Sequence, residues 1–344
     1  MSKAGYAKVL PKLRIAKEKL AKTDDIRSLS LLETFEEAVR DVSELKLLKG
    51  EKIEGGLREI EKTLNTIVAK NIVKLSKITP EPADRLVKSY LCTYVVADVL
   101  SLIKRSTLGA SLDLGSLATI DIPETPLYGL DEEAAENPKQ LASKIRTIQA
   151  RKLVEKAIDA YQKTGDPGIY DLFYPLVKAY MLQDALSSLD RESRNGVEQV
   201  VCPGVIYTLV SGLIYSSRIG IPVETLNLVY EGINVCGFNW SDIRQVYENS
   251  GNDPEQLFSE LKRKFALFEG RNYMEALKNA RSRYLKLSHK KSLSMFAGYP
   301  FHAGLVAATI ELLEHEVRDI RAVIAGKLYK VYPEKIYAVV TREL

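Results

Sequence analysis

Cysteine is nearly missing from this sequence. Cys92, Cys202 and Cys236 are its whole complement in 344 residues, widely spaced and without a CxxC pair. That excludes a disulfide framework and a cysteine-rich zinc site. Histidine is equally scarce, at three, and tryptophan occurs once. His315-Glu316 opens like a zincin helix, but position 319 is Asp, so the second ligand of an HExxH pair is missing. His289, His302 and His315 read as surface or capping residues rather than ligands. Asp24-Asp25 runs on into Ile26 and Arg27 and does not repeat as a metal-binding diacid. No GxxxxGK[ST], GxGxxG or GxSxG occurs, so the common phosphate cradles and the hydrolase elbow are absent. The reading is a chain with no catalytic residue, no cofactor and no metal.

A strong charge of one sign is lacking too. Lys and Arg number 49 against 45 Asp and Glu, a net +4, which carries no polyanion-binding signature by itself. With 46% hydrophobic residues and only 13 Pro, the chain is neither disordered nor fibrous. The basic start from Lys3 to Lys22 is followed by no apolar region, so it is not read as a secretory signal. Long uncharged runs are few. Gln199 to Ser217 and Ser292 to Ile310 reach the length of a membrane span, but Cys202-Pro203-Gly204 and Gly298-Tyr299-Pro300 interrupt them. Each reads as loop plus buried helix.

What is present is helical texture. Segments rich in Leu, Lys, Glu and Ala alternate with breaks at Pro, Gly, Asn and Asp, and strict two-residue alternation is rare. The pattern predicts helices over Tyr6 to Lys22, Leu31 to Asp41, Gly56 to Lys77 and Ala83 to Arg105. Residues 106–138, with six Gly and Pro, read as a linker or an extended excursion. Helices resume over Gln140 to Lys163 and Tyr170 to Leu189, and from Pro222 onward with a turn at Ser250 to Pro254. In the last long helix Val306, Ile310, Leu313, Val317, Ile320 and Ile324 form one apolar stripe, with Glu311, Glu314, Arg318 and Arg321 on the other side.

An internal repeat underlies this texture. Asp98 to Ile103, Leu209 to Ile214 and Asp319 to Ile324 superpose without gaps, with starts 111 and 110 residues apart. Each carries a small residue at its fourth place (Ser101, Gly212, Ala322), as a close packing joint against another backbone would require. The expectation is an all-α chain of three similar modules, 1–110, 111–221 and 222–344, with the linker at 106–138.

Charge is local rather than global. Lys262, Arg263, Lys264, Arg271, Lys278, Arg281, Arg283, Lys286, Lys290 and Lys291 are opposed only by Glu269 and Glu275. A solvated face, an acidic protein partner, an anionic membrane surface and nucleic acid all fit. Phe265, Phe268, Tyr273 and Tyr284 interleave with the bases at spacings that suit either RNA stacking or helix packing.

The run from Glu316 to Leu328, with Ile320, Arg321, Gly326 and Lys327, resembles the C subunit of archaeal A-type ATP synthases, the equivalent of the d subunit in vacuolar ATPases. Asp319 stands where that family usually has Asn. The lead Gly298 to Phe301 is similar as well. So is Tyr94 to Lys104, where Val95, Asp98 and Leu100 replace the family's Asp, Asn and Lys. Tyr6 to Leu20 resembles the opening helix, and Tyr170 to Tyr174 and Arg218 to Gly220 are weaker matches.

The resemblance implies a pseudo-threefold funnel that is a rotor part and not an enzyme. Its partners would be the proteolipid ring of the membrane sector and the coiled-coil central stalk, with no nucleic acid. It would sit peripherally on the cytoplasmic face of the membrane without spanning it. Asp98, Glu316, Asp319, Arg321 and Lys327 lie in the matching helices, either as partner contacts or as structural salt bridges. A free helical-repeat scaffold for another protein or RNA is the alternative.

Overall fold

The computed structural model describes residues 3–130, 137–250 and 252–342. In chain order the first helices are α1 (Lys3–Glu18), α2 (Thr23–Leu31), α3 (Phe35–Ser43), α4 (Leu57–Ser76) and α5 (Ala83–Thr107). Then come α6 (Pro138–Lys144), α7 (Ile148–Thr164), α8 (Ile169–Phe173), α9 (Val177–Ser187) and α10 (Arg191–Arg218). The rest are α11 (Val223–Tyr230), α12 (Trp240–Ser250), α13 (Pro254–Lys264), α14 (Tyr273–Met295), α15 (Ala303–Leu328) and α16 (Pro333–Tyr337). Among the described residues the strands are two residues each, β1 (Asn234–Val235) and β2 (Phe238–Asn239), joined through Cys236 and Gly237, both at positive φ. That hairpin turn is the primed type that matches strand twist. The fold is all-α, as the periodicity predicts.

The chain divides into two compact units. One comprises residues 1–87, 189–203 and 282–344, and the other 88–188 and 204–281.

In the first unit α15 packs against α1, α2, α3, α4 and α16. Every residue from Ala303 to Leu313 is buried, so this is a helix enclosed on all sides and not the amphipathic one that the stripe predicts. Small residues make room for it. A Cβ on Gly304 would lie 2.8 Å from the carbonyl carbon of Gly196 in α10, so this crossing requires both glycines. His302 caps α15, its Nδ1 accepting from Gly304 N–H at 3.0 Å. The predicted helix from Leu31 is split, because Thr34 and Glu37 form a capping box that starts α3 after α2 has ended.

In the second unit the residues after α5 do not form a slack linker. Leu117, Ala118, Ile122, Leu127 and Leu130 are buried, and Thr125 Oγ1 donates to the carbonyls of Thr119 and Ile122. Residues 131–136 of the predicted linker, like Gly251 of the predicted turn, lie outside the described residues. α7 packs on α6, α8, α9 and α11. Tyr170 to Tyr174 docks on α5: Tyr174 donates to the Ala97 carbonyl at 2.8 Å, and Asp171 pairs with Lys104 at 2.6 Å. Val95 and Leu100 are buried, which gives both positions a packing role.

Pro203 and Gly204 lie inside the continuous helix α10, where the sequence pattern predicts a loop. Proline removes one ladder bond, and a long apolar helix with packing on either side tolerates it. Among the described residues α5 and α10 are long and apolar enough to cross a membrane, with 56% and 50% of their apolar windows buried inside the protein. The run Ser292 to Ile310 is broken between α14 and α15.

Candidate partner-binding helices

The C-terminal half of α15 and the residues after α16 bring three ionisable groups to places without water. Glu316 and Asp319 are fully buried, and Arg342 is 5% exposed. Arg342 Nη2 donates to Glu316 at 2.7 Å, and its Nε donates to Asp319 at 2.7 Å. Its Nη1 reaches the Ala21 carbonyl, while Ala21 N–H donates back to Glu316 at 2.8 Å. Thr341 completes the shell of Asp319 with its N–H and its hydroxyl. The cluster therefore ties together α15, the residues after α1 and those after α16.

Burial pushes the Glu316 and Asp319 carboxyls above the ordinary carboxylate range, against the pull of Arg342 and the backbone donors. Burial also works against the Arg342 charge, but the two carboxylates outweigh it and raise its pKa.

Asp98 repeats part of this arrangement in α5. Its carboxylate accepts from Thr119 N–H at 2.8 Å and from the Thr119 hydroxyl at 2.6 Å. Asp319 holds Thr341 by the same two groups at 2.7 and 2.8 Å. In the middle segment Leu209 has no carboxylate, and the Tyr230 hydroxyl instead donates to the Leu209 carbonyl at 3.3 Å. The small residue there serves that tyrosine and not a neighbouring backbone: a Cβ on Gly212 would lie 2.6 Å from the Tyr230 hydroxyl. The three segments matched by sequence thus each hold a residue 21 or 22 positions further on.

Arg321 and Lys327 each tie α15 to a neighbouring helix. Arg321 is partly exposed, pairs with Glu61 across 3.3 Å and donates to Asn65 at 2.9 Å, joining α15 to α4. Lys327 is buried, and its ammonium donates to the Ser30 carbonyl in the last turn of α2 at 2.6 Å. A cation there satisfies an orphan carbonyl and the helix dipole together. A Cβ on Gly326 would meet the Ile336 side chain at 2.5 Å, so the glycine lets α16 fold back against α15.

His289 and His315 pack as a ring pair with centroids 5.7 Å apart rather than lying on the surface. Among the described residues no group of three metal-ligating side chains converges. A cavity of about 360 Å³ lies beside Lys156, Tyr180 and Glu231. Lys156, brought down to about 8 by burial, donates to the Tyr180 hydroxyl and to the Val229 and Glu231 carbonyls, closing the end of α11. Gln149 there donates to Asp184, and Gln183 bonds the backbone at Gly232 and Asn234. The basic run falls on the end of α13 and along α14. Three of its four aromatics are not displayed: Phe265, Phe268 and Tyr284 are buried, with Phe268 stacked on Tyr207, while Tyr273 is half-buried. The three buried rings are not placed to stack nucleic-acid bases.

Sequence reasoning places Glu316 and Asp319 but misses Arg342. Their pairing spans 23 and 26 positions of chain, and a single Arg beyond the last helix gives no local signal. Thr119 and Thr341 escape it as well, since they lie 21 and 22 positions beyond Asp98 and Asp319, and a gapless extension of the repeat sets Thr119 against Val340.

A sequence model of the family described as ATP synthase (C/AC39) subunit matches residues 9–202, more than half of the chain. The chain is also 21% identical over 304 residues to a protein of Methanocaldococcus jannaschii, named there as the C subunit of an A-type ATP synthase. That alignment covers 80% of this chain and 70% of the relative.

Proposed function

Because the chain belongs to the ATP synthase (C/AC39) subunit family, we propose that it is the non-catalytic socket of a rotary ATP synthase. In this reading it seats the coiled-coil central stalk on the proteolipid ring, and passes rotation between them for ion-coupled ATP synthesis or hydrolysis. It sits on the cytoplasmic face of the membrane, peripherally, with α5 and α10 as core helices of the protein. Its plan is three modules, 1–110, 111–221 and 222–344, arranged as a pseudo-threefold funnel.

The observation that carries the reading is the matching grip of Asp98 on Thr119 and of Asp319 on Thr341. A part that transmits torque must not yield internally, and a repeated brace at equivalent helices serves that need. A lasting assembly would bury on the order of 2,000 Å² at its interfaces. Arg321, the most exposed of the α15 candidates after its bonds to Glu61 and Asn65, is proposed as a partner contact. Asp98, Glu316, Asp319 and Lys327 act by holding the helices that present the contact faces.

The test is extraction of the tagged chain from its own membranes in a gentle detergent, with mass spectrometry of what accompanies it. Proteolipid, stalk and nucleotide-binding subunits are expected together. Recovery of RNA or an unrelated protein alone would replace the socket with a free helical scaffold.

A further inference from the structure

The three matched helices also end alike. Ten positions beyond the start of each matched segment stand Leu108, Ile219 and Tyr329, whose N–H groups bond the carbonyls of Lys104, Tyr215 and Ala325. The next residues, Gly109, Gly220 and Lys330, all have positive φ, at 62°, 72° and 53°. The residues after those, Ala110, Ile221 and Val331, donate to Arg105, Ser216 and Gly326, the six-to-one bond of a Schellman cap. This cap demands a left-handed residue in second place, and Lys330 holds it without the freedom of glycine. It demands nothing of the side chain before it.

Yet that side chain is large, apolar and exposed in all three: Leu108 at 57%, Ile219 at 68% and Tyr329 at 70%. A helix end facing only water has no use for Leu, Ile or Tyr at one register three times over. A basic residue accompanies each, Arg105, Arg218 and Lys330. We infer that these helix ends are three copies of one docking contact, each inserting an apolar side chain flanked by a cation into a partner site that is apolar with an acidic or carbonyl rim. Three equivalent contacts on one chain suit a partner that repeats its site, and a single stalk does not repeat. The occupant is therefore the stalk-facing loops of the proteolipid ring, and the inference rests on the socket reading.

The test places the photo-crosslinking residue benzoylphenylalanine at 108, 219 or 329 in the full chain within the assembled complex, and at Tyr128 as a comparably exposed control. Crosslinks from all three helix ends to the same proteolipid, with none from position 128, are expected. A complex that co-purifies intact but whose three positions crosslink to different subunits, or to none, would overturn the inference and leave the socket reading standing. Failure to co-purify would remove the socket reading, and the inference with it. As a second measurement, the triple variant Leu108→Gln, Ile219→Gln, Tyr329→Gln should lose roughly tenfold or more in membrane retention. Its thermal midpoint should stay unchanged, because all three side chains are exposed. Unchanged retention would also overturn the inference.

Discussion

Arg342 Nη2 meets the Glu316 carboxylate at 2.7 Å, with side chains that are 5% and 0% exposed. An ion pair so buried is costly to break from one side, since the survivor keeps its charge without water. Arg342→Met leaves two carboxylates unpaired and should lower stability by about 3–5 kcal/mol in urea unfolding. Adding Glu316→Leu should recover part of that loss. At the exposed Arg244–Glu248 pair, Arg244→Ala should cost under about 1 kcal/mol.

Asp98 and Asp319 separate when amidated. Asn in place of Asp98 can set its oxygen where Oδ2 accepts from both Thr119 groups and loses the 3.3 Å bond from Ala118 N–H, so Asp98→Asn should cost about 1 kcal/mol. Asp319→Asn additionally removes the charge facing Arg342 Nε and should cost about 2–3 kcal/mol. Equal losses in the two variants, read from the same urea unfolding curves, would contradict the assignment.

Acid stability should report His289. Burial, aided by the Arg342 charge, brings its pKa down from 6.5 to about 4, and its Nδ1 has no hydrogen-bond partner. The unfolded chain then binds the proton first, so stability is present above pH about 6.5 and lost as pH falls toward about 4, by at most about 3 kcal/mol. Glu316 and Asp319, with raised pKa values, act in the opposite sense: what they contribute is present at low pH and lost as pH rises. Comparing melting midpoints of the protein and of His289→Leu across this range cancels that background. The variant should show the smaller acid loss.

Gly212 and Tyr230 form a size-matched pair. Gly212→Ala gains helix propensity but drives a Cβ to 2.6 Å from the buried hydroxyl, for a net loss of about 1–2 kcal/mol. Tyr230→Phe removes the obstacle together with its bond to the Leu209 carbonyl. The double variant should therefore lose less than the two single losses added, a coupling read from a double-mutant cycle.

Local patterns carry well from sequence to structure. The helix expected over Gly56 to Lys77 is found at Leu57–Ser76, because apolar period and glycine break are both local. The last uncharged run ends in a buried helix as expected, beginning at Ala303. Long-range pairing does not carry. Glu311 and Asp319 lie on the side of α15 away from the apolar stripe and Glu316 beside its edge, yet all three are buried. For Glu316 and Asp319 the reason lies in Arg342, Thr341 and Ala21, which arrive from elsewhere in the chain. The Thr34 to Glu37 capping box is a local signal too, and it is what divides α2 from α3.

The proposed coupling of ring to stalk by this chain can be measured in membranes whose synthase lacks it. ATP hydrolysis by the nucleotide-binding sector should persist there while ATP-driven ion transport is lost, and adding the purified chain should restore transport. Ion transport undiminished in the chain's absence would contradict the coupling role.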